Sequence, residues 1–164
     1  MGKVVFLKGG LQVDKPSIFD VAKTFLFMDS MTHKKLQKLC YYAQAWHLAL
    51  YNGERLFDAN FEAWIHGPVC RELYNVYKVY GWDDIPKENS IPSNIDEETY
   101  EFLKVVFNTY GDFTGDELEK LTHTELPWKE AREGLEEWEP SHNVIKEETM
   151  QKFYWDIYEQ SQND

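Results

Sequence analysis

Between Thr32 and Tyr51 the chain carries a helical pattern that is apolar on more than one side. Leu36, Leu39, Cys40, Ala43, His47 and Leu50 recur at spacings of three and four, the mark of one buried stripe. Tyr42, Trp46 and Ala49 widen that surface beyond what a single neighbour would cover. A helix of this kind has to be enclosed by other elements, so the pattern predicts a central helix with the rest of the chain wrapped around it.

The flanking sequence supplies the wrapping. Ser17 is placed as an N-cap with Asp20 three residues on, ahead of Ile18, Val21, Phe25 and Met28 on one helical face. Asn52-Gly53 turns the chain, and the short aromatic stretch Leu56 to Ile65 alternates Phe61, Ala63 and Ile65, as a small hairpin would. Pro68 suits the first turn of a helix running to about Tyr80, with Val69, Leu73, Val76 and Tyr77 inward and Gly81 as its stop. Two prolines between Asp83 and Ile95 predict a surface loop. Asp96 then caps a helix to about Tyr110 with Phe102, Leu103, Val106, Phe107 and Tyr110 inward, and Thr114 with Glu117 forms a capping box ahead of Leu118 and Leu121. A short helix starts near Pro127-Trp128, and a last one, about Lys146 to Gln160, groups Met150, Phe153, Ile157 and Tyr158. The expected fold is mainly α: a compact bundle of six or seven helices with a small extended or β element. Its organisation is an N-terminal extension over residues 1–16, either a short strand-turn-strand or a flexible lead-in, one domain over residues 17–160, and a tail over residues 161–164.

Composition narrows the function classes. With 164 residues and 43% hydrophobic content, one domain with a real core is expected. Six Trp, ten Tyr and ten Phe are more rings than so small a domain can enclose, which hints at an aromatic binding face. The net charge of −12 opposes nonspecific phosphate binding, and the lysines at 34, 35 and 38 are a weak basic cluster against it, so direct nucleic-acid binding is not expected. Glu133, Glu136, Glu137 and Glu139 read as a solvated helix face or as a surface for a basic partner. No run reaches the ~18 apolar residues of a membrane span, and the apolar run Val4 to Leu7 is too short for a signal-peptide core. Cys40 and Cys70, each placed inside a helix and outside any CxxC pair, suit a reducing cytoplasm. The five histidines form no HxxxH pair, and there is no phosphate-binding glycine loop and no GxSxG elbow. Neither an enzyme nor a metal or cofactor site is expected; the one catalytic set that folding could assemble is His66 and His123 with Glu62 or Asp116.

The run Leu36-Gln37-Lys38-Leu39-Cys40-Tyr41-Tyr42-Ala43-Gln44-Ala45-Trp46-His47 resembles the opening signature of the Panacea domain of SocA-like antitoxins. Leu56-Phe57-Asp58, Phe61-Glu62-Ala63-Trp64, His66-Gly67-Pro68-Val69 and Leu73-Tyr74 continue it. Leu118, Leu121-Thr122-His123, Pro127-Trp128 and Ala131-Arg132 extend it into the second half, so the resemblance runs from about Ile18 to Tyr158. It implies a helical fold and an antitoxin that neutralises a cognate protein toxin, encoded next to it, by direct contact. The alternative is a phage or prophage accessory protein that binds a host component. Self-association is left open, and residues 1–16 stand outside the usual family start, with partner contact by strand addition as their expected role.

Within the signature, His47, His66, Gly67, Pro68, His123 and Pro127 are expected to be structural: Gly67 and Pro68 to set a sharp entry into a helix, the histidines to bond neighbouring polar groups. Tyr41, Trp46, Trp64, Arg71, Tyr74 and Trp128 are the candidates for the partner-binding face, because Trp, Tyr and Arg dominate interface hot spots.

Overall fold

The computed structural model describes residues 15–164, so the expected extension lies outside the described residues except for its last two positions. Seven α-helices and one two-stranded antiparallel sheet follow in the order α1 (Ile18–Met28), α2 (His33–Leu50), β1 (Glu62–Trp64), β2 (Gly67–Val69), α3 (Arg71–Tyr77), α4 (Glu97–Tyr110), α5 (Gly115–His123), α6 (Leu126–Ala131) and α7 (Glu147–Gln162). A 3-10 turn, Lys78–Tyr80, extends α3. None of the described helices is long and apolar enough to cross a membrane.

Helix α2 is the axis. Every residue from Leu36 to Ala45 is buried, which requires neighbours on all sides, and α1, α3, α4, α5, α7 and β2 supply them. Two of its buried polar side chains fix the irregular chain around it. The Gln37 amide pairs with the Cys70 backbone, donating to its carbonyl (2.9 Å) and accepting from its N–H (2.9 Å). Gln44 accepts from the N–H groups of Leu56 (2.8 Å) and Phe57 (3.3 Å) and donates to the Phe57 carbonyl (2.8 Å). Gln44→Leu therefore strands three buried backbone groups, each costing about 1–3 kcal/mol. A loss of at least 2 kcal/mol is expected in urea unfolding.

Midway along α2 a knot of tyrosines closes on one carboxyl. Glu125 accepts from the hydroxyls of Tyr42 and Tyr154 (both 2.8 Å), Tyr42 stacks on Tyr110 (centroids 3.9 Å), and the Trp46 indole donates to the Tyr110 hydroxyl (2.8 Å). Burial, partly offset by the two phenols, raises the Glu125 carboxyl above the usual range.

Local signals placed the helix starts well. Ser17 with Asp20, and Thr114 with Glu117, form the expected capping boxes, and Asp96 caps α4. Elsewhere tertiary packing overrode the pattern. Pro68 does not start a helix; it lies in β2 opposite Ala63, and α3 begins at Arg71 after Cys70. The reason is visible in the ladder: Ala63 sends its N–H to the Asn143 carbonyl (2.8 Å) and its C=O to Arg132 (3.0 Å), away from β2. The Ala63–Pro68 pair is thus of the kind without hydrogen bonds, and the missing proline N–H costs the sheet nothing.

The stretch between Asp83 and Ile95 is not wholly superficial, since Ile85 and Ile95 are buried and the Ile85 N–H bonds the Met31 carbonyl (2.8 Å). Val76 is 51% exposed, and Ile157 and Tyr158 lie outside the core, where Tyr154 takes the inward position. The glutamates from 133 to 139 are not a helix face: α6 ends at Ala131, and the chain then passes through turns around Gly134, whose φ is +86°.

Candidate functional site

The six binding-face candidates divide. Tyr41 (1% exposed) and Trp128 (5% exposed) belong to the core: the first touches Tyr154, and the second donates its indole N–H to the Trp64 carbonyl (2.8 Å). Trp46 is half-buried and held by Tyr110. A side chain that large on a helix enclosed all round turns inward, and the sequence pattern does not show which rings do so. Trp64, Arg71 and Tyr74, by contrast, come together at the surface. The Trp64 and Tyr74 rings meet edge to face (centroids 5.0 Å), and the Arg71 guanidinium lies 5.6 Å from the centre of the Trp64 ring.

Glu62 organises this cluster. It accepts from the Trp64 indole (2.8 Å) and from Arg71 (2.9 Å), while Arg71 also reaches the His142 imidazole. Burial would raise the Glu62 carboxyl, but the indole and the guanidinium outweigh it and hold the carboxyl below its ordinary range. Glu62 is thus committed to positioning Trp64 and Arg71.

Beside the cluster lies a groove of about 380 Å³ between the start of α2, the hairpin and α3. Trp64, Val69, Tyr74 and Trp82 give it apolar walls, and Lys38 and His33 meet it from α2. Lys38 is 1% exposed, and its ammonium has no hydrogen-bond or ion-pair partner among the described residues. Desolvation, with the charge of Lys34 adding to it, lowers the Lys38 pKa to about 7. Glu119 offsets this only in part; one of its oxygens holds Lys34 and the other faces His66 at 3.2 Å. Lys34 also binds Asp116 (2.6 Å), so that lysine is fully paired. The buried Nδ1 of His33 has no partner among the described residues, and burial, together with Lys38, lowers its pKa.

Gly67 makes room for this lysine. Its φ is +110°, and a Cβ there would stand 2.6 Å from Lys38 Cε and 3.1 Å from Thr122 Oγ1. The glycine expected to serve a helix entry thus serves a close approach between the hairpin and α2.

The remaining signature residues take up local contacts. His66 is exposed at the hairpin turn. His123 stacks on Trp128 (3.9 Å), and buried Pro127 stands in the first turn of α6. His47 shares a hydrogen bond with the Glu54 carbonyl (2.7 Å) and is half-buried. Cys70 lies just before α3 rather than within a helix, and burial raises both thiols, that of Cys70 to about 11.

Gln37-Lys38, Trp64, His66, Tyr74 and Trp82, which line this groove, come from separate parts of the sequence. They fall within residues 36–129, over which the chain matches the family described as Antitoxin SocA-like, Panacea domain. The chain belongs to that family. The match spans more than half of the protein and takes in all but the first turn of α2, the hairpin and α3 to α5, together with most of α6; His33 and Lys34 of the groove lie just before it. No curated protein and no solved structure matches the chain. Helices α1 and α7 lie outside the matched residues, yet both pack on α2, so the Panacea domain here is closed by elements at both ends of the described chain.

Proposed function

We propose that this Panacea-domain protein is an antitoxin that neutralises a cognate protein toxin in the cytoplasm by direct binding, and that it works through recognition rather than catalysis. The supporting observation is the surface around the groove. Trp64, Arg71 and Tyr74 cluster there, and the adjoining segment leaves Val79 81% and Trp82 85% exposed. Large apolar side chains held out on a rigid support, next to a guanidinium oriented by a carboxylate, are what an interface hot spot is made of. The cluster rests on the short sheet and α3, so little order has to be gained on binding.

The test is growth. Expression of the neighbouring gene alone is expected to arrest growth, and co-expression of this protein to restore it. Restoration is expected to fail when Arg71→Glu reverses the charge over Trp64. A neighbour that is harmless, or toxic but not rescued, would overturn the reading.

A further inference from the structure

The groove has a property that a protein-binding face does not require: a buried cation without a hydrogen bond or ion pair among the described residues. A lysine ammonium removed from water is normally paired directly with a carboxylate, and here the two oxygens of Glu119 contact Lys34 and His66 instead. Lys38 therefore makes no ion pair among the described residues, and the unpartnered Nδ1 of His33 lies on the same groove. Around these two polar groups stand Trp64, Tyr74, Val69 and Trp82. A concavity of about 380 Å³ lies in the range of small-molecule sites (~300–1,000 Å³), and a few polar groups among aromatic walls are their usual lining.

We propose that this groove binds a small organic monocarboxylate, its carboxylate against Lys38 and His33 and its apolar or aromatic body against Trp64, Tyr74 and Trp82. Lys38 supplies the buried cation for the carboxylate, and Lys78, which also lines the groove, lies 5.9 Å from the centre of the Tyr74 ring. More highly charged anions are disfavoured by the −12 net charge of the chain. Gly67 belongs to the same construction, because any side chain at that position would press on Lys38 Cε.

The probe is benzoate, titrated into the full-length protein while indole N–H resonances are followed by NMR, with benzamide and phenyl phosphate as isosteric comparisons. Saturable shifts confined to Trp64 and Trp82, with a midpoint at least ten-fold lower for benzoate than for benzamide, are the expected result. Lys38→Met is expected to abolish them. Trp82→Ala, which removes an exposed ring and leaves the core untouched, is expected to weaken binding several-fold at Trp64. Equal binding of benzoate and benzamide, tighter binding of phenyl phosphate, undiminished binding by Lys38→Met, or no saturable shift at all would each overturn the proposal.

Discussion

Lys38→Met is expected to stabilise the protein at pH 6 by about 1–4 kcal/mol, the usual gain when an apolar side chain replaces a buried charge. The lysine is 1% exposed and Glu119 offsets only part of its desolvation, so the native state carries a penalty whenever the group is charged. The sign follows from linkage. The folded pKa is about 7, against 10.5 for an ordinary lysine, so between these values the unfolded chain holds a proton that the native state has given up. Through that window stability from this group rises with pH, by up to about 1.4 kcal/mol per unit, and it levels off above the unfolded value. Below about 7 both states are charged and the penalty is constant. Urea midpoints at pH 6, 8 and 9.5 check this as a difference between wild type and variant, in which Lys34, Glu119, His33 and the other titrating groups largely cancel. The variant is expected to be the more stable at pH 6 and to lose that advantage by pH 9.5. A residue that costs the fold this much is placed for a site rather than for stability.

Arg132→Leu is expected to have the opposite effect, a loss of about 3–5 kcal/mol. Arg132 is 4% exposed and donates to four backbone carbonyls: Ala63 (3.0 Å), Glu136 (3.0 Å), Glu137 (3.3 Å) and Glu139 (2.5 Å). Its guanidinium also lies 5.0 Å from the centre of the Trp128 ring. One side chain therefore ties β1 to the turns that follow α6, and no apolar residue can satisfy those carbonyls. Arg132→Lys, with one ammonium in place of the planar fork, is expected to recover only part of the loss. Thermal unfolding of the two variants beside wild type gives the ranking.

These two residues also mark where sequence reading stops. Caps and helix spans were legible because Ser17, Asp96 and Thr114 act within a few residues of the chain they organise. The central helix was legible because its apolar pattern has no solvent side. That same feature concealed the site: on a helix enclosed all round, periodicity ranks no face as inner, so Tyr41 and Trp46 read as surface rings and Lys38 as part of a basic cluster. The available signal was position, since Lys38 stands between Gln37 and Leu39 in the stretch where every residue is buried. Pro68 was misread because a proline suits a helix start and a pair without hydrogen bonds equally well, and only the partner strand decides between them. The acidic run after α6 looked like a solvated face, whereas the structure uses its backbone carbonyls, which composition does not report. Of the proposed binding face, Trp64, Arg71 and Tyr74 are the residues that meet at the surface, and Glu62, which orients two of them, stood out only as part of the signature and as a remote catalytic option.

The most direct measurement is the affinity of the purified protein for the product of its neighbouring gene, by calorimetry, for wild type and three variants. Trp64→Ala and Trp82→Ala are expected to weaken binding at least ten-fold each, about 1.4 kcal/mol or more. Trp155→Ala, at a partly exposed ring on α7 away from the groove, is expected to leave it unchanged. Equal affinity across all four proteins, or no binding by wild type, would contradict recognition through the groove face.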